Sequence, residues 1–210
     1  MAAYACLVPY TRPKTLQVAV DSARLDGWDV LTMQDRNRDG VNKIREALLA
    51  RAFADETIEF IRYLDDDDRL LPHLGQVKKV FEENPKVDIV YLDAVLNMPS
   101  GIQHDVNYSG DPLEDAMRVH PWSWVARVSA LRDIKRIWGH LWDYSHPCRE
   151  GNYCWLKFLK SNLVFQHLPI QGYFYNKSFD PVCISQHPSF GVETRKLEQN
   201  LQEFRKLIRP

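Results

Sequence analysis

Four consecutive aspartates, Asp65 to Asp68, follow directly on the apolar run 59–64. Adjacent carboxylates repel one another, so a chain carrying four in a row must offer them solvent, a cation or hydrogen-bond donors. The run before them reads as a buried strand, which puts the acidic segment where a sheet opens. The flanking sequence predicts the sheet. Tyr4 to Val8 is a short apolar run ending at Pro9. Pro13 opens a segment with Leu16, Ala19, Val20 and Ala23 on one helical face. Residues 29–33 form a second strand, Asp39-Gly40 punctuates, and Asn42 is a candidate cap for a helix carrying Ile44, Leu48 and Ala52. After the aspartates, Pro72 starts a helix with Leu74, Val77 and Phe81 in phase, ended by Asn84-Pro85, and 88–92 is the fourth strand. Such alternation predicts an α/β fold with a mixed, mainly parallel sheet and helices on both faces. Ligands of such sheets sit outside the carboxyl ends of the strands, where the acidic run lies.

The second half is less regular. Residues 96–112 read as a loop, and tryptophans gather at Trp122, Trp124, Trp138, Trp142 and Trp155. A helix is expected over 151–160 and strands over 164–168 and 173–175. From Val192 on, Leu197, Leu201, Phe204 and Ile208 mark an amphipathic helix. The 210 residues suit one domain, with a first half (1–95) and a second (96–210). The net charge of -1 excludes whole-chain electrostatic attraction to nucleic acid or anionic membrane. No apolar run is long enough to span a bilayer, and the N-terminus reads as a strand rather than a signal peptide. Cys6, Cys148, Cys154 and Cys183 lack metal or framework spacing, so reduced thiols and a cytoplasmic setting are expected.

The aspartates admit two readings. Mg²⁺ or Mn²⁺ takes oxygen ligands and commonly joins one or two carboxylates to substrate phosphates. The alternative is a solvated acidic turn with Asp68 capping the following helix. An EF-hand is excluded, because the segment has no glycine and no terminal glutamate at the required spacing.

The surrounding motifs bear on that choice. Ile61-Arg62-Tyr63-Leu64 followed by Asp65 to Asp68, Arg69-Leu70-Leu71 and Pro72 resembles the L-D-x-D-D signature of family 2 GT-A glycosyltransferases. Val8-Pro9-Tyr10-Thr11-Arg12-Pro13 resembles their first strand and turn. Residues 34–40 resemble their second acidic segment, Asn42 to Ala47 the helix after it, and Pro85 to Tyr91 the segment beyond the metal-site helix. The matches fall in order over residues 4 to 93.

The resemblance implies a GT-A (Rossmann-like) fold, a nucleoside diphosphate sugar donor (UDP-linked by default), Mn²⁺ or Mg²⁺, and a hydroxyl acceptor on a glycan, small molecule or modified nucleic acid. It implies that Pro9, Thr11 and Arg12 line the nucleoside. Asp35 would read base or ribose, and Arg45 would contact phosphate or base. Asp65 and Asp66 would lie at the nucleotide sugar, with Asp67 the foremost metal ligand and Asp65 the second. The family's base is the Asp of an E-D pair. Here Glu150-Gly151 stands in that place, making Glu150 the candidate base, Asp143 the second and His146 a chemical equivalent. Lys177 or His187 would meet the diphosphate, and the tryptophans would offer a platform for sugar or acceptor. Two other readings share the fold: a non-catalytic nucleotide-sugar-binding module, and transfer to a modified base in nucleic acid. A basic groove at Arg118, Arg127, Arg132, Lys135 and Arg136 would favour the last.

Overall fold

The structure, a computed structural model, describes residues 3–11, 13–36, 40–98, 100–120, 122–142, 150–176 and 190–208. Strand and helix alternate through the first half: β1 (Ala3–Tyr10), α1 (Pro13–Leu25), β2 (Asp29–Gln34), α2 (Val41–Ala54), β3 (Ile58–Tyr63), β4 (Arg69–Leu70), α3 (Leu74–Glu83) and β5 (Ile89–Asn97). The second half holds β6 (Gln103–Val106), a 3-10 turn (Asp115–Met117), β7 (Trp124–Arg127), α4 (Val128–Trp138), α5 (Glu150–Lys160), β8 (Phe165–Asn176) and α6 (Phe190–Ile208).

The strands form one sheet in the order β2-β1-β3-β7-β5-β8-β4, with β6 on β5. β1, β2 and β3 run parallel, as do β5 and β8. β7 lies antiparallel between β3 and β5, which leaves those two parallel to each other across it. Alternation along each strand fills both faces, as expected of strands buried on both sides. Leu7, Tyr63, Tyr91 and Trp124 face one core with Leu48 and Leu49 of α2, Leu131 of α4, Trp155 of α5 and Leu197 of α6. Tyr4, Val8, Phe60 and Val90 face the other with Ala19 of α1 and Val77 and Phe81 of α3. The expected α/β sheet, covered on both faces, is what the chain forms. Among the described residues, no helix is long and apolar enough to cross a membrane.

Several local expectations are corrected. The helix expected from Pro72 begins at Leu74. Its first amides are capped by Asp26 rather than Asp68: Asp26 Oδ1 accepts from His73 N at 2.9 Å and from Leu74 N at 3.2 Å. Asn42 lies inside α2, whose N-cap is Gly40 at φ 99, a conformation that glycine adopts without steric cost. The two strands expected after residue 163 are one continuous β8. Between Leu92 and Ala94 its register against β5 slips, so that β8 spends three more residues than β5 over this stretch. The loop expected over 96–112 contains β6, and β7 and α4 occupy a region where no element was assigned. Trp122, Trp124, Trp142 and Trp155 are buried, which makes them mainly packing residues, while Trp138 is partly exposed.

The second core also holds a charge. Arg62 on β3 is fully buried, lies 5.4 Å from the centre of the Trp28 ring, and donates to the Trp122 carbonyl and to Nε2 of His73. A guanidinium only donates, so Nε2 must be unprotonated and the ring proton must sit on Nδ1, where it faces the Leu71 carbonyl. Neutral His73 is thus a condition of Arg62 being satisfied. Burial, then the Arg62 charge, pushes the His73 pKa down to about 3. A base depressed in the folded state contributes stability that is complete above its unfolded value and lost as pH falls through the window below it. Chemical denaturation between pH 7 and pH 4 is expected to show His73 costing stability with a slope approaching one proton, beginning near pH 6.5. His73→Gln should remove that proton from the slope.

Candidate functional site

The acidic run sits where β3 ends. Leu64 N donates to Leu7 O at 3.1 Å, carrying the pairing with β1 one residue further, and Asp68 N closes the turn onto Asp65 O at 3.2 Å. The four carboxylates then go four ways. Asp65 Oδ1 takes the Arg45 guanidinium at 3.0 Å. Asp66 is buried, and its Oδ2 accepts from the backbone N of Thr11 at 2.9 Å, tying down the loop after β1. Asp68 is buried and turned toward β8, where it accepts from the Tyr173 hydroxyl and, at 2.8 Å, from Asn176 N. Asp67 is half-buried and lines a cavity of about 300 Å³ with Asp68, Arg69, Asn97, Gln103 and Asn176.

Arg45 comes from α2, and its i−3 neighbour Asn42 accepts from its Nη1 at 3.2 Å. Its guanidinium lies 4.6 Å from the centre of the Trp142 ring and 5.3 Å from that of Trp122, and the residue is 1% exposed. Burial pushes the Asp65 pKa up to about 6 against the pull of Arg45, with Asp67 and Asp66 adding to the rise. Asp68 is raised further, first by burial and then by the charges of Asp65 and Asp67. With a guanidinium 3.0 Å away, Asp65 is an ionised partner at neutral pH.

The other side of the site comes from β1 and β2. Pro9 is buried near the end of β1. Asp35, just past β2, donates its N to Tyr10 O at 2.9 Å, and its Oδ2 accepts from Gly40 N at 3.0 Å. It therefore fastens the entry to α2. Pro9, Thr11, Asp35, Arg45 and Asp65 to Asp67 are thus gathered at the carboxyl ends of three adjacent parallel strands. Arg12, Asp143, His146, Lys177 and His187 lie outside the described residues. So does the side chain of Glu150, although its backbone opens α5.

Sequence reading did not find Tyr173 and Asn176 as partners of Asp68, nor Asn97 and Gln103 beside Asp67. Those contacts join positions far apart in the chain, and no local pattern announces them.

Among the described residues, no group of three or more His, Cys, Asp or Glu is arranged to hold a metal ion. Asp65, held by Arg45, and Asp67, at the cavity, are the two hard oxygen donors that the resemblance names. That set suits a cation whose other ligands are phosphate oxygens and water.

No protein-family model and no curated protein matches this chain. Solved structures do. S. aureus TarS 1-349 in complex with UDP-GlcNAc superposes with a TM-score of 0.69 at 15% identity, over 94% of this chain and 66% of that one. The fold is of the GT-A type. A longer crystal structure of S. aureus TarS matches with a TM-score of 0.64 at 16% identity, over 96% of this chain. The present chain spans only 42% of that TarS chain and just under two thirds of the 1-349 form. A197 from STIV matches with a TM-score of 0.53 at 13% identity, over 80% of this chain and 82% of its own. At these identities the likeness is one of fold.

Arg45→Met should strand Asp65 as an unpaired, largely buried carboxylate and cost about 2–4 kcal/mol, read as a lower urea midpoint. Adding Asp65→Asn should restore part of that loss; a double variant no better than the single one would show that Arg45 acts through packing alone.

Proposed function

We propose that this chain is a metal-dependent glycosyltransferase that moves a hexose from a nucleoside diphosphate sugar, UDP-linked by default, to a hydroxyl acceptor with inversion. The observation that carries the reading is the division of labour in the acidic turn. Asp66 and Asp68 hold the turn to the loop after β1 and to the end of β8, while Asp65, steadied by Arg45, and Asp67, at the cavity, stand at the carboxyl ends of the strands. The likeness to TarS 1-349, whose crystal structures include complexes with UDP-GlcNAc and with UDP, supports it.

In this reading the loop at Pro9 and Thr11, with Asp35, receives the base and ribose. Asp67 and Asp65 would hold Mn²⁺ or Mg²⁺, which when bound neutralises charge on the diphosphate. Arg45 holds Asp65 ionised and in place. The acceptor oxygen forms a bond to the anomeric carbon as the bond from that carbon to the diphosphate oxygen breaks. The acceptor proton passes to a carboxylate, for which Glu150 is the first candidate and Asp143 the second. The nucleoside diphosphate leaves with the electron pair.

Acceptor choice has one structural pointer. The five basic residues whose grouping would favour nucleic acid are each engaged locally. Arg127 donates to Val87 O at 2.7 Å and Arg118 to Asn107 O at 2.9 Å. Arg132 reaches Phe53 O, Lys135 pairs with Glu46 and Arg136 with Asp133. A glycan or small-molecule hydroxyl is therefore the favoured acceptor class. Buried free thiols at Cys6 and Cys154 suit the reducing, cytoplasmic setting that goes with this reading.

Isothermal calorimetry with UDP, GDP and dTDP, each with and without Mn²⁺, tests the reading. One nucleotide should bind with metal present, and Asp67→Ala should weaken it at least tenfold, about 1.4 kcal/mol. Binding that ignores both metal and Asp67 would leave a nucleotide-binding module without the proposed centre, and no binding at all would refute the transferase reading.

A further inference from the structure

The sheet edge continues past the acidic turn. β7 runs antiparallel between β3 and β5, so its N-terminal approach, at Trp122 and Ser123, lies at the carboxyl ends of the parallel strands. Trp122 sits there. The Arg45 guanidinium that holds Asp65 lies 5.3 Å from the centre of its ring, and Tyr173, which holds Asp68, lies 6.0 Å away. Arg62 fixes its carbonyl. The indole is therefore flanked by the partners of both ends of the acidic run.

Two observations there are unexplained by packing. Among the described residues, the buried Nε1 of Trp122 has no hydrogen-bond partner. A buried donor without an acceptor costs about 1–3 kcal/mol, and such groups in a folded protein call for a ligand or water that satisfies them. Trp124 and Trp142 share the orphaned N–H inside the first core, and Trp122 belongs to the second. What distinguishes Trp122 is two half-buried neighbouring rings, with His120 nearly parallel at 6.3 Å and Tyr175 at 6.1 Å. Those two rings lie 5.3 Å apart. Aromatic faces grouped with an indole N–H donor match a pyranose, whose C–H face is apolar and whose rim carries oxygen acceptors.

Position agrees with chemistry. Adjacent strands lie about 4.8 Å apart, so β7 is about 10 Å beyond β1 along the sheet edge. With the nucleoside at the ends of β1 and β2 and the diphosphate at the end of β3, the next group in line reaches the approach to β7. We propose that His120, Trp122 and Tyr175 form the subsite for the hexose ring of the nucleoside diphosphate sugar, with the Trp122 indole N–H donating to a sugar oxygen. The proposal rests on the donor reading given under Proposed function.

Calorimetry of the full chain with Mn²⁺ and UDP, UDP-glucose or UDP-N-acetylglucosamine separates the two. The native chain should bind at least one UDP-sugar more tightly than UDP. Trp122→Phe keeps a ring and removes the donor. It should leave UDP affinity within about twofold and reduce the sugar's increment about five- to tenfold, the worth of one hydrogen bond. Tyr175→Ala, at a half-buried position, should act in the same sense and decides the matter if Trp122→Phe does not fold. An unchanged sugar increment in the folded variant, or equal weakening of UDP and UDP-sugar, overturns the subsite. Failure of the native chain to bind UDP overturns the donor reading as well, whereas normal UDP binding with no gain from any sugar overturns the subsite alone.

Discussion

Four adjacent negative charges at the end of a buried strand are the constraint around which this molecule is arranged. Their repulsion cannot be relieved by solvent alone, because two of the four are buried and the other two only partly exposed. It is relieved by sending each side chain to a different neighbour: Asp65 to α2, Asp66 to the loop after β1, Asp67 to the cavity and Asp68 to the end of β8. A segment that is unfavourable in isolation becomes the junction of three elements, because each of them brings a donor.

Two buried guanidiniums extend that junction through the sheet. Arg45 has a carboxylate partner and two indoles, the usual way an interior cation is made tolerable. Among the described residues Arg62 has no carboxylate at hydrogen-bond distance; it relies on a carbonyl, an imidazole and the face of Trp28, and burial pulls its pKa down to about 10. Its contact with the Trp122 carbonyl places the start of β7 relative to β3. The positions of the site and of the second core are thereby linked through one side chain.

The parallel part of the fold was legible because its signals are local: apolar runs, helical phase and the proline, glycine and asparagine breaks give the first three strands and three helices almost where they stand. The acidic run was placed by the rule that such sheets present their ligands at the carboxyl ends, whereas Pro9, Thr11, Asp35 and Arg45 were named by the family resemblance. What could not be read was set by distant contacts. Asp26 caps α3 from 47 positions away, and Asp68 meets Tyr173 and Asn176 across more than a hundred. β7 is only four residues long, and its pairing on both sides, not its composition, makes it a central strand. The tryptophans were read as a platform by their chemistry, yet the space between sheet and helices claims most of them.

The slip between β5 and β8 has a consequence in parity. Side chains on a strand alternate between faces, so an even excess of residues would return β8 to the facing it began with, and an odd excess inverts it. The excess here is three. Beyond the slip, Tyr173 and Tyr175 accordingly turn toward the core that contains Trp122. A length change of one residue within 169–172 would reverse the facing of everything after it without altering a single aromatic residue. The meeting of Tyr173 with Asp68, and of Tyr175 with Trp122, is in this sense decided by a count of residues rather than by their kind.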